Sequence, residues 1–252
     1  MTLSEDQIER YSRQIILKDI GGAGQAKLLD ATVFILGAGG LGSPAALYLA
    51  AAGVGHLVIA DSDRVELSNL QRQILHTTCR VGALKVSSAK QAIQAINPEV
   101  QVTTFSQRVT ETNVESMLAS ADLVLDGSDN FATRYLLNDA CFRLKKKLIS
   151  AAVLGFEGQI ASFHHGVDGK APCYRCLYPT PPQSAPTCSS AGILGSVVGA
   201  VGTLQAAEAV KSLLGIGRNL AGTLLLVNVF DCIFHQVTIP KREGCPACSS
   251  PR

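Results

Sequence analysis

Short runs of valine, isoleucine and leucine alternate, through the first 153 residues, with longer stretches whose apolar positions recur at helical spacing. Ser4 and Gln7 have the form of a capping box, and Ile8, Tyr11, Ile15 and Ile16 follow at roughly helical intervals, which predicts a helix to about Leu17. Gly21, Gly22 and Gly24 predict a break in the chain. Residues 32–37, 41–52 and 56–61 then read as strand, helix and strand, and a helix is expected over 81–96, stopped by Asn97-Pro98. Val100–Phe105, Asp122–Asp126 and Lys147–Val153 read as further strands, with helices near 111–119 and 131–144 between them. Such alternation predicts an α/β, doubly wound, mainly parallel sheet. After about residue 154 the rhythm changes: Gln159–His164, Thr223–Val229 and Cys232–Ile239 read as antiparallel strands, interrupted by a proline-rich loop and a helix over 191–214. The second half is expected to extend the sheet, and no internal repeat is visible.

The first strand runs into Gly37-Ala-Gly39-Gly40-Leu-Gly42, a Rossmann-like strand–turn–helix pattern. A glycine turn at a helix start aims free N–H groups at an anion, and the helix dipole favours negative charge there. Asp61 ends the next apolar run, where an acidic side chain conventionally accepts hydrogen bonds from ribose hydroxyls. Together they point to a nucleotide. The glycine pattern alone also serves NAD and FAD sites, or tight packing without a ligand. The sequence argues against an ordinary P-loop NTPase, because no Gly-Lys-Ser/Thr follows the loop and Gly169-Lys170 precedes Ala171.

A formal net charge of +2 over 252 residues, without a charge run, argues against a nucleic-acid surface. The start lacks the basic and apolar regions of a secretion signal, so a cytoplasmic protein is expected. The longest apolar tract, Ala191–Leu204, falls short of the roughly twenty residues that span a bilayer, and is expected to be a core helix.

Behind Asp61 comes a polar cluster, Ser68, Asn69, Leu70, Gln71, Arg72 and Gln73, and then Lys85 at a helix start. Arg72, through its planar fork, and Lys85, as a point charge, suit a triphosphate; each alone reads more readily as a solvated surface charge, and their joint placement beside a nucleotide loop shifts the balance. Asp129 in Asp126-Gly-Ser-Asp129-Asn130 stands at a strand end and suits Mg²⁺, which takes one or two carboxylates with phosphate oxygens and water. The same pair suits a helix N-cap, and both roles coexist if Asn130 caps.

Arg13 in Arg-Tyr-Ser-Arg-Gln, the glycine loop, Asp61-Ser-Asp63, Ser-Asn-Leu-Gln-Arg-Gln, Lys85, Gly-Ser-Asp-Asn and paired cysteines occur in one order along nearly the whole chain. In this the chain resembles the sulfur-carrier adenylyltransferases of the ThiF/MoeB/HesA family, bacterial relatives of ubiquitin-activating enzymes. Phe156-Glu-Gly-Gln159, and His76 with Val81-Gly82, look closer to the molybdopterin branch than to the thiamine branch. The resemblance implies that ATP adenylates the C-terminal glycine carboxylate of a small ubiquitin-like carrier ending in Gly-Gly. It implies that Gly37, Gly39, Gly40 and Gly42 cradle phosphate, that Asp61 holds the ribose, and that Asn69, Arg72 and Lys85 contact phosphates. It places Asp129 on Mg²⁺ and brings Arg13 in from the other protomer of a homodimer. With no sulfur-donor extension after Cys248, a separate donor protein is expected. On this reading 1–252 form one adenylation domain, with a nucleotide-binding half at 1–153 and an extension at 154–252 that carries a crossover loop at about 177–190.

Cys173-Tyr-Arg-Cys176 and Cys245-Pro-Ala-Cys248 offer two chelating pairs, the ligand set of a closed structural Zn²⁺ site. Disulfide pairing is the alternative, disfavoured in a reducing compartment. Cys188 lies in the proline-rich loop before a helix, where the dipole favours a thiolate. Relatives use a cysteine here as a covalent link to the carrier in some pathways and not in others, so a nucleophile and an unused loop thiol both remain open. A catalytically silent carrier-binding scaffold and an NAD-dependent oxidoreductase are the rival functions. The oxidoreductase leaves Arg72, Lys85, Asp129 and the cysteines unexplained.

Overall fold

The structure is a computed structural model that describes residues 2–164, 171–181 and 192–249. Its elements in chain order are α1 (Glu5–Ile15), α2 (Gly21–Asp30), β1 (Thr32–Leu36), α3 (Gly42–Ala51), β2 (His56–Ala60), α4 (Lys85–Ile96), β3 (Gln101–Phe105), α5 (Val114–Leu118), β4 (Leu123–Asp126), α6 (Phe131–Arg143), β5 (Lys147–Leu154), β6 (Glu157–His164), α7 (Tyr174–Leu177), α8 (Gly195–Leu214), β7 (Thr223–Asn228) and β8 (Ile233–Thr238). Among the described residues, eight strands form one sheet in the order β3-β2-β1-β4-β5-β6-β7-β8. The first five are parallel, and β6, β7 and β8 are added antiparallel at the β5 edge.

The central strands are covered on both faces, which is why their sequences are continuously apolar. In β1, Val33 and Ile35 face one core with α3, α4 and α8, while Phe34 and Leu36 face the other with α5 and α6. The chain leaves β1 for β2 and β3 on one side and returns to β4 and β5 on the other. The carboxyl ends of β1 and β4 therefore flank a topological switch point, where open α/β sheets bind ligands.

Most expected elements are present with shifted ends. The expected break at Gly21–Gly24 is instead the first turn of α2. Tertiary packing outweighs glycine's poor helix propensity there: Leu28 is fully buried, and the Gln25 amide donates to Ala52 O (3.1 Å) and accepts from Gln14 (2.7 Å). α4 starts at Lys85, four residues later than expected, because Gly82 has φ of +88° and ends the preceding turn.

α8 has the length and composition of a bilayer span, yet it packs against α3 and the sheet as a core helix. Gln205 and Glu208, both buried on this helix, find partners inside the protein. Gln205 donates to Asp126 O (3.0 Å) and Ile149 O (2.9 Å), and Glu208 accepts from Lys211 (2.7 Å) and Ser162 (3.1 Å).

Contact between α3 and α8 depends on Gly202, where a Cβ would stand 2.5 Å from Leu41 O and 2.6 Å from Pro44 Cγ. Gly202→Val should force the helices apart at a cost of about 1–3 kcal/mol, the usual range for overpacking. A melting temperature equal to that of the wild type would contradict this packing.

Candidate functional site

β1 ends at Leu36, and Gly37 (φ +94°) turns the chain toward α3. A Cβ on Gly42 would overlap the Gly37 carbonyl oxygen, so the last glycine of the motif serves the closeness of the turn and does not line the cavity beyond it. Among the described residues, no hydrogen bond occupies the N–H of Gly39 or Gly40. The loop thus presents unpaired donors at the start of a helix, an arrangement suited to an anion.

The loop borders a cavity of about 200 Å³ whose lining includes Gly37, Gly39, Gly40, Asp61, Arg72, Gln73, Lys85 and Asp129. A second hollow of about 290 Å³ shares Gly37, Asp61, Asp63, Ser128 and Asp129 with it, and adds Arg108, Val109 and Asn130. Asp61 stands at the junction of the two. One carboxylate oxygen accepts from the Ala38 N–H (2.8 Å) and the other from the Asp63 N–H (2.8 Å), which fixes the side chain and leaves each oxygen further acceptor capacity.

Lys85 is the first residue of α4 and is 6 % exposed. Its ammonium pairs at 2.8 Å with Asp63, whose side chain is 66 % exposed. Arg72 Nη1 donates to Ser68 O (3.0 Å), which extends the guanidinium along the cavity wall. Asn69 is buried and does not line the cavity; its amide oxygen accepts from the Glu66 N–H (3.4 Å), and its carbonyl accepts from the N–H groups of Arg72 (3.1 Å) and Gln73 (3.0 Å). Asn69 thereby shapes the turn that presents Arg72 and Gln73. Ser68, Leu70 and Gln71 belong to the same turn and are also absent from the lining.

At the end of β4, buried Asp126 accepts from the Ser128 N–H (2.9 Å) and the Ser150 hydroxyl (2.8 Å). Asn130 caps α6 by accepting from the Thr133 N–H (2.9 Å), which leaves the exposed Asp129 carboxylate at the mouth of both hollows. Arg134, one turn into α6, was not expected at the site. Its guanidinium donates to Ser128 O (2.7 Å) and lines the first cavity. Burial opposes its charge, but the Asp126 carboxylate together with Tyr174 and Tyr178 outweighs it, so its pKa lies above the ordinary arginine value. Asp63 also gains a place through its pairing with Lys85. Nothing in the local sequence signals Arg134, because its partners are set by tertiary folding.

Arg13 is exposed in the last turn of α1 and lines neither hollow. Cys188 lies outside the described residues.

Away from the crevice, Cys173, Cys176, Cys245 and Cys248 bring four sulfurs within 4.8 Å of one another. Sulfurs around one ion at about 2.3 Å would stand about 3.8 Å apart in a tetrahedron. Separations of 4.0 Å (Cys173–Cys176), 3.6 Å (Cys173–Cys245) and 3.4 Å (Cys176–Cys248) fit that spacing, and none is a disulfide bond length. Burial and neighbouring thiols push Cys248 up to about 12 and Cys173 higher still. Burial also acts on Cys245, but the N–H groups of Cys248 and Ala247 outweigh it and bring this thiol down to about 7. Such a cluster ionises fully only with a cation among the sulfurs. Arg175, between the first pair, holds Asp139 of α6 with both nitrogens (2.6 and 2.8 Å), and the Tyr174 N–H donates to Asn138 (2.8 Å).

A family model described as the ThiF family matches residues 11–247. The sulfur carrier protein adenylyltransferase of Thermus thermophilus is 47% identical over 252 residues, with 98% of this chain and 93% of that protein covered. The adenylyltransferase and sulfurtransferase MOCS3 of Drosophila virilis is 46% identical over 252 residues, covering 99% of this chain but 55% of that protein. The chain thus spans just over half the length of the MOCS3 relatives it matches. Among solved structures, Escherichia coli MccB has a TM-score of 0.85 at 22% identity, covering 96% of this chain and 73% of that one. MccB with ATP has a TM-score of 0.82 at 23% identity, covering 96% and 75%. These two likenesses establish the fold.

The cap and the neighbouring carboxylate can be separated by urea denaturation. Asn130→Ala is expected to cost about 1 kcal/mol, the usual effect of losing an N-cap, whereas Asp129→Ala should leave stability nearly unchanged. Equal losses in the two variants would contradict the division of roles.

Proposed function

The chain belongs to the ThiF family, and on that premise we propose that it adenylates the C-terminal glycine carboxylate of a small ubiquitin-like sulfur-carrier protein ending in Gly-Gly. One observation carries the reading: the unpaired glycine-loop N–H groups, Arg72, Lys85 and Asp129 converge on one crevice at the carboxyl edge of the sheet. A dehydrogenase has no use for two cations and an exposed carboxylate in that position.

ATP lies across the two hollows, with ribose on Asp61, the base toward Val109, and phosphates toward Gly39, Gly40, Arg72 and Lys85. A carboxylate oxygen of the carrier forms a bond to the α-phosphorus as the bond from that phosphorus to the pyrophosphate oxygen breaks. The leaving pyrophosphate keeps the electron pair. Positioning and charge stabilisation carry such a step, and loop N–H groups, guanidinium and ammonium supply both. Lys85 is held ready by Asp63, and Arg72 by Ser68 O. Asp129 would hold Mg²⁺, which would offset phosphate charge; the exposed carboxylate beside the phosphate region suits that ion's preference for few carboxylates and several phosphate or water oxygens.

Arg13, exposed and lining neither hollow of its own chain, completes the site of a second protomer in a homodimer. The four thiolates would hold a structural Zn²⁺, tying the C-terminal segment to the Cys173–Cys176 pair, which Arg175 and Tyr174 join to α6. The nucleotide-binding half and the extension act as one adenylation domain, Cys188 has no part in adenylation, and sulfur comes from a separate donor protein.

Carrier-dependent exchange of pyrophosphate into ATP tests the reaction; its absence with Mg²⁺ and a Gly-Gly-ending carrier would refute it. Arg72→Ala and Lys85→Ala should each lower exchange by 100-fold or more, on the order of 3 kcal/mol of lost charge stabilisation. Mixed dimers of Arg13→Ala and Lys85→Ala chains should regain part of the activity, and no regain would count against the shared site. Cys188→Ala should exchange normally. Metal analysis should find one zinc per chain, and its removal by chelation should lower the melting temperature.

A further inference from the structure

His76 is 5 % exposed and lies between the Arg72 turn and α4, without a role in the proposed chemistry. Its Nε2 stands 2.8 Å from Ala38 O and its Nδ1 2.9 Å from the Ser88 hydroxyl. A carbonyl oxygen only accepts, so Nε2 carries the proton and Nδ1 accepts from Ser88. One neutral tautomer satisfies both contacts, and burial keeps the ring neutral by holding its pKa below the ordinary histidine value.

The two bonds act on the glycine loop through the planarity of the peptide group. In a trans peptide the carbonyl of one residue and the N–H of the next point in opposite directions. With the Ala38 carbonyl turned onto His76, the Gly39 N–H must face the other way, and Gly39 lines the first cavity. The N–H of Ala38 is held by Asp61 (2.8 Å), so residue 38 is pinned on both sides while the Gly39 donor stays unpaired among the described residues. Ser88 lies one turn beyond Lys85 on α4, so the same ring also ties the loop to the helix that carries the ammonium.

We propose that His76 is a positioning residue for phosphate: by holding the Ala38 carbonyl it aims the Gly39 N–H into the cavity and keeps that donor in register with Lys85. The proposal rests on the nucleotide reading of the crevice. It assigns His76 its main effect on the phosphates, since the imidazole's hydrogen bonds go to Ala38 O and the Ser88 hydroxyl and the ring does not line the second hollow.

Titration of ATP with Mg²⁺ by calorimetry, and of adenosine by NMR, separates these effects in the full-length wild type, His76→Phe and His76→Gln, with thermal melts run alongside. His76→Phe is expected to bind ATP about tenfold or more weakly, as befits misdirecting a donor to a charged group, and adenosine unchanged. His76→Gln supplies an amide donor in place of Nε2 and should recover most of the ATP affinity. Equal losses for ATP and adenosine, or a Gln variant no better than Phe, would overturn the proposal. If His76→Phe does not fold, Ser88→Ala, which frees Nδ1 but keeps the ring, should weaken ATP severalfold and spare adenosine; unchanged ATP affinity would overturn it equally. A wild type that binds adenosine but not ATP would sink the nucleotide-triphosphate reading itself, a different failure from the loss of the His76 effect.

Discussion

Three cationic side chains converge on one crevice, and like charges in a partly desolvated space repel unless each has a partner of its own. Arg72 is held by a turn carbonyl, Lys85 by Asp63, and Arg134 by Ser128 O with the Asp126 carboxylate close by. Asp63 and Ser68 lie in the connection after β2, and Asp126 and Ser128 at the end of β4. The crevice therefore depends on the register between the turn after β2, the start of α4 and the loop after β4, and that register comes from the parallel pairing of β2, β1 and β4. Strand order, in this sense, is an electrostatic requirement as well as a packing solution.

The parallel half and the antiparallel extension divide the work. Central strands buried on both faces provide a stiff base, and the loops at their carboxyl ends carry the polar groups. α8 joins the halves: Val198 approaches Gly40, and Gln205 reaches the backbone of both β4 and β5. A core helix thus reports directly to the glycine loop and to the strand that precedes Asp129.

Local features were legible in the sequence. The apolar run into Gly37, the Ser4–Gln7 box and the Asn130 cap each depend on neighbours within a few residues, and each is present. The two Cys-x-x-Cys pairs were visible as candidate chelating pairs despite the gap between them, since chelating spacing is itself local, and their four sulfurs do come together. α2 was illegible because Leu28 and Gln25 stabilise it through contacts beyond the helix, overriding three glycines. The pairing of Lys85 with Asp63, 22 residues away, and of His76 with Ala38, 38 residues away, had no local signature either. Ser68, Leu70 and Gln71 show the converse: a motif can mark a turn whose residues shape the site without lining it.

The cysteine cluster has a consequence for the order in which the molecule can be completed. Cys173 and Cys245 are 72 residues apart, with α8, β7 and β8 between them. Closing a flexible loop of that length costs roughly 4 kcal/mol of chain entropy beyond a constant term, and during synthesis the second pair emerges only after the whole extension. The first pair must wait as two reactive thiols, open to oxidation or to a borrowed ion, until the last strand has been made. A growing chain is thus chemically most vulnerable after its nucleotide-binding half has already been synthesised.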